Sequence, residues 1–141
     1  MKAVIVKTDK QLEDAFYVRK TVFVEEQHVP MEEELDEFEQ DSIHIVLYDE
    51  EQTPIGAGRY RSFEEYGKVE RICILKTSRK GGAGKAVMNK IEEYALSQGA
   101  PALKLNAQTH AIPFYNKLGY EVISEEFMDA GIPHRTMLKK L

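Results

Sequence analysis

At 141 residues, with a net charge of −5, the chain is the size of one ordinary domain and long enough for a hydrophobic core that needs no metal or disulfide. It is 43% apolar and 30% charged, no apolar run approaches the roughly 18–20 residues of a membrane span, and the acidic excess argues against a general nucleic-acid binder. The single cysteine, Cys73, excludes an internal disulfide, no Cys/His spacing resembles a metal site, and charge follows "MKAVIV" too soon for a signal peptide, so a reducing, cytoplasmic setting is expected.

In chain order, "KAVIV" reads as a strand. From Asp9 to Val24, Leu12, Phe16, Arg19 and Phe23 recur at helical spacing, with Asp9 available as a cap. Between Glu25 and Asp41 come nine acidic residues and no Lys or Arg, so the remainder carries 19 basic and 15 acidic residues. That run reads either as a solvated helix and loop or as an electrostatic lip for a cationic substrate. "HIVLY" and "TPIGAGRYR", joined by "DEEQ", form a hairpin, and "KVERICIL" is a further strand. Regular alternation there puts Val69, Arg71, Cys73 and Leu75 on one face, and Glu70, Ile72 and Ile74 on the other. "KAVMNKIEEYALSQG" is an amphipathic helix with Val87, Ile91, Tyr94 and Ala95 on its apolar stripe and Gly99 just past its end. "ALKLNAQ" is a strand, "IPFYNKLG" a short helix begun by Pro113 and stopped by Gly119, and "YEVISEEF" and "HRTMLKKL" are two closing strands. The pattern is mixed α/β, with no repeat or linker to divide residues 1–141 into more than one domain.

The most unusual stretch is "RKGGAG", Arg79 to Gly84, which lies between a buried strand and the start of the amphipathic helix. Glycines let backbone approach a ligand closely, and the first N–H groups of a helix lack intrahelical partners. With the helix dipole and the charges of Arg79, Lys80 and Lys85, the turn suits a pyrophosphate; the plain alternative is a flexible turn with solvated bases. A Walker A loop does not fit, because Ala86 replaces the magnesium-binding hydroxyl and the first glycine is missing. A G-x-G-x-x-G dinucleotide fingerprint fails as well, since Gly82 and Gly84 are followed by Val87.

Arg79, Gly82 and Gly84 meet the pattern Q/R-x-x-G-x-G/A, and "AIPFYNKLGY" meets A-x-x-F-Y-x-K-L-G-F/Y. In these two motifs, in their order and spacing, the chain resembles the GNAT superfamily of acyl-CoA-dependent N-acyltransferases. "RKTVFVEEQHVPMEEELD" and "GIPHRTM" resemble a small bacterial branch of it. The resemblance implies a GNAT-like, mostly antiparallel central sheet flanked by helices, splayed between "VERICIL" and "ALKLNAQ" to admit the pantetheine arm. It further implies acetyl-CoA as cosubstrate with no metal. Residues Arg79, Lys80, Gly81, Gly82, Ala83 and Gly84 would hold the diphosphate, with Lys85 opening the helix. Backbone of Ile72 and Ile74 would pair with pantetheine, and Tyr115 would protonate the departing thiolate. Gln108 stands where many members have Asn, so its contact to coenzyme A is a weaker expectation. Terminal strands of such folds often pair between subunits, which leaves a homodimer open.

The chemistry is consistent with these roles. A lysine-like amine with a pKa near 10.4 must lose a proton before it attacks a thioester, which costs roughly 4–5 kcal/mol at pH 7. Glu70 is the first candidate base, and Glu26, His28, His110 and His134 are candidates for the acceptor side. N–H groups beside Ile74 would stabilise the charge growing on the thioester oxygen. A tyrosine, with a pKa near 10, keeps its proton until the thiolate needs it. Buried in an apolar strand with no nearby base, Cys73 reads as a small hydrophobe. The acceptor that the resemblance implies is a primary amine, on a small molecule or a protein lysine. Two other readings stay open at this point: a catalytically weak acyl-CoA sensor, and an unrelated phosphate-binding protein.

Overall fold

Alternating apolar residues in the strand segments bury two opposite faces of one sheet. A computed structural model describes residues 1–141. Its elements are β1 (Lys2–Ile5), α1 (Asp9–Arg19), a π-helical continuation (Lys20–Glu26), α2 (Met31–Glu34), β2 (Ile43–Tyr48), β3 (Pro54–Ser62) and β4 (Gly67–Ile74), followed by α3 (Ala83–Ser97), β5 (Ala102–Gln108), α4 (Ile112–Lys117), β6 (Glu121–Val122), β7 (Phe127–Asp129) and β8 (Ile132–Lys140). The sheet runs β1-β2-β3-β4-β5-β8-β6, with β7 also on β8. Every pairing is antiparallel except β4 with β5.

On one face Ile45, Leu47, Leu103 and Leu105 pack against Val87 and Ile91 of α3. On the other, Val46, Ala57 and Cys73 pack against Ala15, Val18 and Val22. Each fully buried aliphatic side chain contributes roughly 1.5–3 kcal/mol. The period-2 alternation of β2 therefore decides which helix each strand residue meets.

The first helix is capped one residue before the expected position. Thr8 is the N-cap, and its hydroxyl accepts from the Gln11 N–H at 3.1 Å while Gln11 Oε1 accepts from the Thr8 N–H at 3.3 Å. Asp9 instead supplies first-turn negative charge. "YEVISEEF" is not one strand: β6 and β7 are separate and both borrow β8 as their partner. Around Tyr94 the expected stripe shifts, with Ala83, Val87, Met88, Ile91 and Ala95 fully buried.

The regular alternation expected of β4 is broken. Its register with β3 slips between Ala57 and Arg59, and Arg71 adopts φ +57°, a left-handed conformation that costs a non-glycine residue about 1–3 kcal/mol. This bulge restores Ile72 and Ile74 to the α3 face but leaves Glu70 on the α1 face with Cys73. Glu70 does not share a face with Ile72 and Ile74.

Candidate active site

Strands β4 and β5 pair only at Gly67–Leu103, Lys68–Lys104 and Val69–Leu105. Beyond Val69 they diverge, and a cavity of about 1000 Å³ opens in the gap. The Leu75 N–H bonds the Ile55 carbonyl on β3, so the alternation of an antiparallel ladder turns the N–H and carbonyl of Ile74 the other way, into the opening. Arg79 Nε donates to that carbonyl at 3.0 Å, which leaves the Ile74 N–H facing the gap. The N–H groups expected beside Ile74 to meet a thioester oxygen therefore do not include Leu75, whose N–H is taken.

At one end of the cavity stands the glycine loop. Gly81 and Gly82 have φ +104° and +87°, and a β-carbon at either would meet nothing within 4 Å. Their use is conformational: only glycine adopts this turn without strain. Gly84 serves differently, since a β-carbon there would lie 2.9 Å from the Phe114 ring. Gly82 caps α3 with no side-chain bond, and the first bond of that turn runs from the Ala86 N–H to the Gly82 carbonyl. The Ala83, Gly84 and Lys85 N–H groups consequently have no intrahelical acceptor. The donor set fits a diphosphate: free N–H groups, a helix N-terminus and an open approach.

The side chains expected to form the site divide three ways. Glu26, Glu70, Ile72, Ile74, Arg79, Gly84, Gln108, His110, Tyr115 and His134 line the cavity together. Lys80, Gly81, Gly82 and Lys85 are exposed beside it, while Ala83 is buried beneath the loop. His28 is exposed at φ +62° and does not reach the cavity. Arg79 is held by both oxygens of Glu26, at 2.5 and 2.7 Å, linking the loop to the end of the π-helical turn. Gln108 exchanges amide bonds with Gln27 at 2.9 and 3.3 Å, and its Oε1 also accepts from His110 Nε2 at 2.8 Å.

Tyr115 is 8% exposed, set edge-on between Phe114 and Tyr120. Burial pushes its hydroxyl above the ordinary tyrosine pKa, so it holds its proton through neutral pH. Burial likewise lifts the Cys73 thiol to about 12, which removes it as a nucleophile. For Glu70 burial would raise the pKa, but the hydrogen bond from Arg61 at 2.6 Å and the charge of Arg59 at 3.0 Å outweigh it and hold the carboxyl below its ordinary value. A carboxylate held this way is a poor proton acceptor.

The acidic run is neither simply solvated nor simply a lip. Arg19 and Arg59, both 0% exposed, draw part of it inward. Arg19 bonds Glu34 at 2.8 Å and both oxygens of Glu39 at 2.8 Å; Arg59 bonds both oxygens of Asp36 at 2.7 and 3.0 Å. Arg71, on the bulge, reaches the Glu33 and Glu34 carbonyls and Asp36. Burial would raise the Asp36 and Glu39 carboxyls, yet the bonds from Arg59 and Arg19 bring each down to about 2. Glu32, Glu33, Glu37 and Asp129 also line the cavity, and no ion pair engages them. The sequence reading missed this network, although an arginine on the apolar stripe of a helix opposite an uninterrupted acidic run was its signature.

Residues 6–141 match the family model of the acetyltransferase (GNAT) domain. The chain belongs to the GNAT acetyltransferases. It is 59% identical over 140 residues to YjcF of Bacillus subtilis, named an uncharacterized N-acetyltransferase, with 99% of each chain covered. Its fold matches a Lactobacillus plantarum crystal structure assigned as an N-acetyltransferase, with a TM-score of 0.92, 27% identity and 99% and 97% of the two chains covered. It also shares the fold of an aminoglycoside 6'-N-acetyltransferase solved with coenzyme A, at a TM-score of 0.79, 14% identity and 99% and 97% coverage. This GNAT protein is thus an acyl-CoA-dependent N-acetyltransferase. No helix is long and apolar enough to cross a membrane, and no group of three or more His, Cys, Asp and Glu side chains is placed to hold a metal.

Proposed function

We propose that the protein moves an acetyl group from acetyl-CoA directly to a primary amine of a cationic acceptor. The observation that carries this reading is the gap between β4 and β5, which joins the open glycine loop to a cavity walled by unpaired carboxylates. The N–H groups from Gly81 to Lys85 hold the diphosphate, with Lys80 and Lys85 adding charge. Pantetheine lies along β4 at Ile72 and Ile74, and the Ile74 N–H supports the thioester oxygen. Gln108, bound to Gln27 and His110, lines the route to the acceptor side rather than offering a free amide to coenzyme A. Tyr115 keeps its proton at neutral pH and gives it to the departing sulfur. Glu32, Glu33, Glu37 and Asp129 attract the positively charged acceptor, while His110 and His134 border its path.

Glu70, held by two arginines, anchors the bulge instead of accepting the substrate proton. Glu26 holds Arg79 at the loop, and His28 has no part in the site.

The test is calorimetric titration with acetyl-CoA, followed by free-thiol release as cationic and neutral amines are added. Binding with release that favours polyamines or lysine peptides is the expected result. Binding without release for any amine rejects direct acetyl transfer, and equal release with neutral amines rejects the cationic acceptor.

A further inference from the structure

The proposed transfer needs an acceptor for the proton of the ammonium group, and Glu70, bound by Arg59 and Arg61, is not free to take it. His134 begins the long part of β8 opposite Gln108 of β5, at the wide end of the splay. Its side chain is 8% exposed, lines the cavity and is stacked on Phe127, with ring centroids 6.0 Å apart and planes 20° apart. Its Nδ1 lies 2.7 Å from the Ile132 carbonyl. A carbonyl oxygen only accepts, so Nδ1 carries the hydrogen, and in the neutral ring Nε2 is the bare nitrogen. Nε2 makes no bond within the chain and is not sealed from solvent. His110, the other histidine of the cavity, donates Nε2–H to Gln108 Oε1, and its bare Nδ1 belongs to an exposed ring, whereas the His134 ring is buried in the cavity wall. Asp129 on β7 lines the same cavity and does not bond His134.

We infer that His134 is the general base, with Nε2 taking the proton of the acceptor ammonium. This rests on the proposed direct transfer to an amine. Nε2 removes one proton from the ammonium, and the freed nitrogen bonds the acetyl carbon as the carbon–sulfur bond breaks. The Tyr115 hydroxyl gives its proton to the sulfur and is restored by the remaining excess proton on nitrogen. Nε2 then returns its proton to water, so the net products are the acetamide, free thiol and one proton.

His134→Gln keeps a side-chain donor for the Ile132 carbonyl and removes the base. Two amines separate chemistry from structure: putrescine, protonated at about pH 7.5, and methoxyamine, which is neutral there and needs no base. Putrescine-dependent thiol release is expected to fall about 100-fold in the variant, methoxyamine-dependent release by less than about threefold, and acetyl-CoA affinity to stay the same. Equal losses with both amines, or no loss with putrescine, would overturn the assignment. Nitrogen-15 spectra of the wild-type imidazole supply an independent readout: the Nδ1–H tautomer with bare Nε2 supports the base, and an Nε2–H tautomer or imidazolium at about pH 7.5 rejects it. Wild-type silence towards putrescine would count against the cationic acceptor of the proposed function, and the spectra would then decide the role of His134.

Discussion

The two ends of the cavity are built by opposite means. The glycine loop is exposed backbone, with Gly81 and Gly82 at positive φ and free space around them. Across the cavity stands a charged wall, a set of side chains drawn from α1, α2, β3 and β4, with Arg19, Glu34 and Arg59 almost wholly buried. A backbone site depends on the conformation that a short segment adopts, whereas a side-chain site depends on partners far apart in sequence. Damage to the first should weaken ligand binding while the fold survives; damage to the second should unfold the protein.

The largest effect is expected at Arg59. Replacing it with leucine leaves Asp36 with Arg71 alone, Glu70 with Arg61 alone and Glu39 with Arg19 alone. Removing one partner of a buried ionic group typically costs about 3–5 kcal/mol. Urea unfolding of Arg59→Leu should show that loss. A change below about 1 kcal/mol would mean that the network behaves as a surface feature, and the contrast between the two ends would collapse.

Acid tests the same wall without mutation. Asp36 and Glu39 have folded-state pKa values near 2, below their ordinary 3.8 and 4.5. A depressed carboxyl contributes its full stabilisation above the unfolded value and loses it as pH falls towards the folded one. Stability should therefore decline between about pH 5 and pH 2, by roughly 2–3 kcal/mol for each of the two groups. Unfolding curves that do not change across that window would show that the arginines leave these carboxyls unshifted.

This contrast also explains what the sequence disclosed. The loop was legible because its chemistry is local: Arg79, Gly82 and Gly84 lie within six consecutive residues, and the helix that follows has an evident apolar stripe. The place of Tyr115 on the cavity wall was legible for the same reason, from a contiguous motif. The wall was not, because Arg19 meets Glu39 and Arg59 meets Glu70 only after three elements have packed. Glu70 was misplaced by a still smaller effect. One bulge, at Arg71, turned every residue before it to the other face, and nothing in "VERICIL" announces a positive φ at an arginine. Residues that act through a continuous segment could be read, while those that act through register could not.

At the loop the expected effect is smaller and of another kind. Gly82→Val places a β-branched residue at φ +87°, where nothing obstructs the side chain but the backbone is unfavourable by about 1–2 kcal/mol. The exposed turn relaxes rather than clashes, so the unfolding midpoint should hardly move, while acetyl-CoA affinity falls about tenfold. Unchanged affinity would detach the loop from coenzyme A. A large loss of stability would make it part of the wall's class.

The smallest effect is expected where the two ends meet. Glu26 holds Arg79 through both carboxylate oxygens, but the pair is 40% and 35% exposed, and pairs of that kind contribute about 0–1 kcal/mol. In the proposed complex a diphosphate on the loop would compete with Glu26 for the same guanidinium. Glu26→Gln should therefore strengthen acetyl-CoA binding by no more than about fivefold, and added salt should narrow the difference. If the variant instead binds acetyl-CoA more weakly, the carboxylate is positioning Arg79 rather than competing for it. The Arg79 Nε bond to the Ile74 carbonyl would then be the link by which the end of β4 helps to set the loop.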